Sequence, residues 1–225
     1  MVVAIITARA NSKGLPGKNM MDLGGMPLIE HSMKVACESA EFDAVILSTD
    51  LIEAINLAKE KYPKIEVPFV RPENLCGDTT THVEVINHLC DYFESENRKV
   101  DYLVLLQPTT PFRLPSEMNE GVSLLKNGAS SVLGVTPVMH HPADYLYKNK
   151  AGKIEYIMPD FKATRRQDFP TVYFNNGAFY GCSLTFFKST QSFFDSESEL
   201  LVMSENSLFD IDTAFDMKLA RAIIA

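Results

Sequence analysis

The chain has 225 residues, 46% of them hydrophobic, and a formal net charge of −8 at pH 7. Such a length and apolar share can build one large α/β domain with its own core, while the acidic balance excludes nucleic acid and anionic membrane surfaces as main partners. No apolar run approaches the roughly 20 residues that span a bilayer, and the four cysteines, Cys37, Cys76, Cys90 and Cys182, form no Cys-x-x-Cys pair, so they read as reduced, buried small residues rather than a disulfide framework or a zinc site.

In chain order, Val2–Ala8 predicts a buried first strand and Leu28–Ser39 a first long helix. Ala44–Ser48 reads as the second strand, ending at Thr49-Asp50, and Leu51–Lys61 as the next helix. A short strand is expected at Val67–Val70, then a polar loop from Arg71 to Thr80 and a helix reaching about Glu94. Tyr102–Leu106 carries an uninterrupted apolar run, as a strand covered on both faces does. Glu117–Lys126 is helical in pattern, Ser130–Pro137 is a strand, and Met139 to about Pro170 changes character to His, Pro, Lys, Asp and Tyr around a Lys150-Ala151-Gly152-Lys153 turn. That stretch is a hairpin excursion, either a surface insertion or a subunit-exchange arm. The chain returns to strand at Tyr173–Cys182 and closes with a helix at Ala214–Ile224. Alternation of strand and helix predicts β-α-β units around a mainly parallel sheet. With no repeat or linker, residues 1–225 form one domain, in which about 139–172 is inserted.

Open α/β sheets bind ligands at the carboxyl ends of their strands, so the loops after Ala8, Val70 and Leu106 are candidates together. The first, Arg9-Ala10-Asn11-Ser12-Lys13-Gly14-Leu15-Pro16-Gly17-Lys18-Asn19, combines three cations with two glycines. Backbone N–H groups freed by glycine turns point at phosphoryl oxygens, and Arg9 and Lys18 neutralise their charge. The loop is neither a Walker loop nor Gly-x-Gly-x-x-Gly. The third, Leu106-Gln107-Pro108-Thr109-Thr110-Pro111-Phe112-Arg113, holds amide and hydroxyl groups between two prolines, which suits either recognition or a plain Pro-stabilised turn. Near the C-terminus Asp210 and Asp212 have the same sidedness in an extended segment, so both carboxylates can reach one hard cation. The same residues precede a helix, where Asp212 or Thr213 can serve as N-cap.

These elements, with Arg71-Pro72-Glu73-Asn74-Leu75-Cys76-Gly77-Asp78-Thr79-Thr80-Thr81-His82 between them, resemble the signatures of the CMP-sugar synthetases, the cytidylyltransferases that activate sialic acid and related nonulosonic acids. The resemblance runs in order from residue 4 to residue 216 and extends to His140-His141-Pro142, Arg166-Gln167, Asn176-Gly177-Ala178-Phe179-Tyr180 and Phe193-Phe194. It implies a three-layer α/β/α fold of the nucleotide-diphospho-sugar transferase type, Rossmann-like, with the excursion as a dimerisation and substrate-pocket segment. The implied reaction moves CMP from CTP to a carboxylated sugar and releases pyrophosphate. Catalysis falls to Arg9, Lys18 and Asp212; nucleotide binding to Arg9, Lys18, Asn19, Arg71, Thr80 and Thr81; sugar binding to Gln107, Arg166, Asn176, Tyr180, Phe193 and Phe194; and Mg²⁺ to Asp210 and Asp212. Lys13 is a weaker phosphate candidate. His82 stands where some relatives have serine and can either hydrogen-bond a ribose hydroxyl or begin a helix. A homodimer is implied. Met1 leads straight into a strand without a basic segment or cleavage site, so the expected compartment is the cytoplasm. Two departures touch the sugar half: Phe174-Asn175 replaces an expected arginine, and Asp144 an expected lysine, for which Lys148 and Arg165 are substitutes. The alternatives are a 3-deoxy-manno-octulosonate cytidylyltransferase and a non-catalytic nucleotide-binding regulatory protein.

Overall fold

The computed structural model describes residues 1–10, 14–161 and 169–224. Lys13, Arg165, Arg166 and Gln167 lie outside these described residues.

β1 (Val2–Ala8) is buried along its whole length. Its side chains alternate: Val2, Ala4, Ile6 and Ala8 join one apolar cluster, and Val3 and Ile5 join a second on the opposite face, as the period of two requires. The first cluster is closed by Ile29 and Met33 of α1 (Leu28–Glu38), Ala54 and Ala58 of α2 (Ile52–Lys61) and Met118 and Val122 of α4 (Pro115–Lys126). The second is closed by Ile86, Leu89 and Phe93 of α3 (His82–Ser95) and Phe187 of α5 (Leu184–Thr190). The result is a three-layer α/β/α arrangement. A third cluster joins Leu23 of β2 (Asp22–Leu23), which pairs with β3 (Met26–Pro27), to Leu28, Ile211 and to Met217 and Ala220 of α6 (Ala214–Ile224).

The central sheet is seven-stranded. β4 (Ala44–Thr49) and β6 (Tyr102–Leu106) flank β1 in parallel, and β5 (Ile65–Glu66) adds beyond β4. On the other side β10 (Tyr173–Ser183) runs antiparallel to both β6 and β7 (Ser131–Pro137), and β11 (Glu199–Val202) closes the edge parallel to β7. The sheet is therefore mainly parallel with one reversed strand. From β1 the chain moves outward to β4 and β5, then crosses back to β6. The connections leaving β1 and β6 diverge, opening a crevice above their carboxyl ends. The excursion contains a hairpin of β8 (Leu146–Lys148) and β9 (Ile154–Tyr156).

Three expectations need correction. The edge strand is Ile65–Glu66 rather than Val67–Val70; Pro68 has no N–H for a ladder, which limits pairing. The sequence reading omits α5 and β11, each too short to show a clear period. Cys90 and Cys182 are buried, but Cys37 and Cys76 are only half-buried, and all four thiols are free. No helix among the described residues is long and apolar enough to cross a membrane.

Candidate active site

Where β1 ends, the chain turns into the crevice and is tied down from three sides. Asp50, just beyond β4, accepts a hydrogen bond from Ala10 N at 2.8 Å. Asn19 donates from Nδ2 to the Arg9 carbonyl at 3.2 Å, while its buried Oδ1 has no partner. Gly14 passes so close to the C-terminal segment that a Cβ there would lie 2.7 Å from the Asp212 carbonyl oxygen, so no larger residue fits without displacing it. Lys18 Nζ donates to Ile211 O at 3.1 Å and to Asp212 Oδ1 at 2.6 Å. Arg9 donates to Gly77 O at 3.1 Å and Asp78 Oδ1 at 2.7 Å. Arg9, Lys18, Asn19, Gln107, Asp210 and Asp212 all line one cleft of about 340 Å³. The loops after β1 and β6 and the C-terminal segment thus meet in one cleft.

A second cleft of about 210 Å³ shares Thr7, Arg9 and His82 with the first and is lined further by Arg71, Asp78, Thr80 and Thr81. Arg71 is buried against β4: its Nε donates to Ser48 Oγ at 3.2 Å, a second nitrogen to Ser48 O, and its own N–H to Thr49 O. Loss of water holds its guanidinium below the usual arginine range. Thr81 is the N-cap of α3, with its hydroxyl accepting from Glu84 N at 3.2 Å and Glu84 answering to Thr81 N, a reciprocal capping box. Its hydroxyl is therefore engaged by the helix, and it is the N-terminal end of α3 that faces this cleft.

The loop after β6 is held by an arginine whose role no local sequence pattern reveals. Arg113, 7% exposed, donates to Ala178 O, to Ser32 Oγ, to Gln107 O and to Thr110 Oγ1. With only neutral acceptors in contact, burial pushes its pKa down to about 9. Its signal was its place at the end of the motif, but its burial depends on packing from β10 and α1. Gln107 itself forms the edge of a third cleft, about 240 Å³, with Tyr180, Phe193 and Phe194. Tyr180 lies 6.2 Å from the Phe193 ring and 6.3 Å from that of Phe194. Four of the six residues expected at the sugar therefore converge. Asn176 is 1% exposed and sits in the irregular stretch of β10, where its Oδ1 accepts from Ala178 N at 2.9 Å and its Nδ2 has no partner. Arg166 lies outside the described residues, and Lys148 is exposed in β8 and lines none of the three clefts.

The cap question at the C-terminus has a clear geometry. Thr213 Oγ1 accepts from Asp216 N at 3.2 Å, and Asp216 Oδ2 accepts from Thr213 N at 2.7 Å and Asp212 N at 3.1 Å. Thr213 and Asp216 cap α6, which leaves the Asp210 and Asp212 carboxylates on the cleft wall. Asp210 is held above the usual carboxylate range, first by loss of water and then, against a hydrogen bond from Thr109, by the Asp212 charge. Asp210 and Asp212 line one cleft as hard oxygen donors, the type a dication such as Mg²⁺ takes, and the described residues contain no group of three or more metal-ligating side chains.

Fold and crevice together are those of an α/β nucleotidyltransferase. More narrowly, the chain belongs to the cytidylyltransferase family, whose model matches residues 3–222. It is 30% identical over 226 residues to the CMP-N,N'-diacetyllegionaminic acid synthase of Legionella pneumophila, covering 99% of this chain and 96% of that protein. It is 29% identical over 222 residues to a pseudaminic acid cytidylyltransferase of Campylobacter jejuni, covering 98% and 95% respectively. Among solved structures it is similar to CMP:2-keto-3-deoxy-manno-octonic acid synthetase complexed with CTP, at TM-score 0.67, 15% identity and coverage of 99% of this chain and 98% of that one. The 4-diphosphocytidyl-2C-methyl-D-erythritol synthase of Anaerococcus prevotii follows at 0.64 and 16%, covering 99% and 95%. At such identities the structural likeness is one of fold.

Proposed function

We propose that this cytidylyltransferase transfers CMP from CTP to the anomeric oxygen of a nonulosonic sugar acid, with Mg²⁺ as cofactor. The acceptor oxygen attacks the α-phosphorus, the bond from that phosphorus to the β-bridging oxygen breaks, pyrophosphate leaves, and the acceptor proton passes to solvent. The observation that carries this reading is the continuity of the three clefts: a base-sized one at Arg71 and Thr80, one where Arg9 and Lys18 meet Asp210 and Asp212, and an aromatic one at Gln107 and Tyr180. Arg9 and Lys18 would offset charge on the phosphates, and Arg113 would keep the Gln107 loop rigid, so that the barrier falls mainly by alignment and charge neutralisation. Asp210 and Asp212 would hold Mg²⁺, which when bound neutralises the triphosphate.

We also propose that the acting unit is a homodimer. The excursion and the start of β10 expose Met139 (72%), Ile154 (67%), Leu146, Tyr156, Ile157 and Phe174, a concentration of apolar surface that suits an interface. The aromatic cleft, meanwhile, offers no Lys or Arg among its described lining residues to meet a sugar carboxylate. A cation from a second copy would complete it.

Pyrophosphate release on mixing CTP, Mg²⁺ and a panel of sugar acids tests the reaction. Release with a nonulosonic acid is expected. Release with 3-deoxy-manno-octulosonate alone would move the acceptor to the eight-carbon acid, and CTP binding without turnover on any acceptor would favour the regulatory alternative.

A further inference from the structure

Among the described residues, His82 alone lines all three clefts. It opens α3, and its ring lies between the end of β1 and the end of β6. Nε2 is 3.0 Å from Gln107 Nε2, and Nδ1 is 3.4 Å from Thr7 Oγ1. An amide nitrogen can only donate. With the amide nitrogen on this side, the ring atom facing it is the acceptor, and the imidazole proton then belongs on Nδ1, toward the Thr7 hydroxyl. The opposite end of the amide is bounded by Gly177, which has φ 70° and where a Cβ would stand 2.9 Å from Gln107 Oε1. The main chain of Gln107 is fixed as well: its carbonyl accepts from Thr110 Oγ1 at 3.1 Å and from the Arg113 guanidinium.

We propose that His82 is a positioning residue: it sets the polarity of the Gln107 amide, and through it helps select the acceptor. The inference rests on the reading of Gln107 as an acceptor-binding group. A primary amide turned by half a circle exchanges its carbonyl for its NH₂ at little steric cost, and an amide of undefined polarity discriminates poorly between donors and acceptors on a sugar. With His82 accepting one N–H, the other N–H and the Oε1 lone pairs are presented in a fixed arrangement. A site of fixed polarity rejects ligands that leave its polar groups unpaired. Desolvation first, and the Arg71 charge second, hold the imidazole below the usual histidine range, so the accepting form persists at neutral pH. This role differs from ribose binding, which would couple His82 to CTP instead.

Two substitutions separate the ring nitrogens. The amide of H82Q reaches the Nε2 position and can accept from Gln107, whereas that of H82N reaches only the Nδ1 position. We expect H82A and H82N to raise the acceptor KM about tenfold, the size of one hydrogen bond, with kcat and the CTP KM changed much less and thermal unfolding near that of the parent. H82Q should restore the acceptor KM toward the parent value. In the ligand-free protein, ¹⁵N spectra should show the His82 proton on Nδ1. A proton on Nε2, an increase confined to the CTP KM, or equal acceptor KM in H82Q and H82N would overturn the proposal. Q107A is the separate control. If Q107A raises the acceptor KM and H82A does not, the inference about His82 fails alone; if Q107A leaves it unchanged, the reading of Gln107 fails.

Discussion

Lys18 and Asp212 face each other at 2.6 Å with side chains 13% and 67% exposed. An ion pair half in water contributes about 1 kcal/mol or less, little enough to be exchanged for a phosphate oxygen when nucleotide arrives. Lys18 is not the exposed loop lysine that its sequence context suggests, because the C-terminal segment covers it. Lys18→Ala should lower turnover about 10²-fold or more, as loss of a charge-stabilising donor does, and stability by only about 1 kcal/mol; steady-state rates beside thermal unfolding check both. Asp212→Asn should nearly abolish turnover and flatten its Mg²⁺ dependence while stability falls by no more than about 1 kcal/mol, the worth of the Lys18 pair, since Thr213 and Asp216 rather than Asp212 cap the helix. A parent-like Mg²⁺ curve would remove Asp212 from the site. His82 adds a pH signature. Its folded pKa is depressed, so the unfolded chain binds the proton first; its stabilising contribution is complete above the ordinary value of about 6.5 and is lost as pH falls from there through the depressed value. The acceptor KM of the parent should rise as pH falls through the depressed folded value, and that of H82Q should not.

At the scale of elements, short motifs do two kinds of work at once. The Thr213-to-Asp216 cap starts α6 directly after the Asp212 that lines the cleft, and the Thr81-to-Glu84 box starts α3 beside it. Asp216→Ala should cost about 1 kcal/mol, the usual worth of a cap, seen as a lower Tm. The Gln107 loop depends on Arg113, whose charge is shared among four neutral oxygens contributed by α1, β10 and its own loop. Arg113→Ala would strand those acceptors in the interior, and a loss of about 3 kcal/mol or more is expected. Chemical denaturation measures it directly.

For the molecule as a whole, crossing back from β5 to β6 assembles the crevice from loops far apart in sequence. In a chain of net charge −8, Arg9, Lys18 and Arg71 nevertheless gather at one end of the sheet, as the proposed phosphate site requires. A base-sized cleft lined by fixed polar groups should discriminate between nucleobases, whose wrong donor pattern leaves those groups unpaired. CTP should exceed ATP and GTP clearly in rate; equal use of all three would overturn cytosine recognition at Arg71 while leaving the nucleotidyltransferase class intact.

The sequence by itself determined the central strands β1, β4 and β6, the α/β class and the strand-end loops that meet, because buried parallel strands are continuous apolar runs and strand-end loops carry the polar residues. It also brought Gln107, Tyr180, Phe193 and Phe194 under one heading, through motif order rather than through any local signal. Only the tertiary structure decided what each polar group does once it arrives. Asp212 and Thr213 are adjacent and both can cap a helix, yet Thr213 takes the cap and Asp212 faces the cleft, a choice made by the packing of Ile211, Met217 and Ala220 against Leu23 and Leu28. Arg113 is indistinguishable in sequence from a surface arginine, and its burial follows from β10 inserting antiparallel between β6 and β7. His82 meets Thr7 and Gln107 across 75 and 25 residues. Contacts of that span depend on sheet order, which local pattern and composition do not encode.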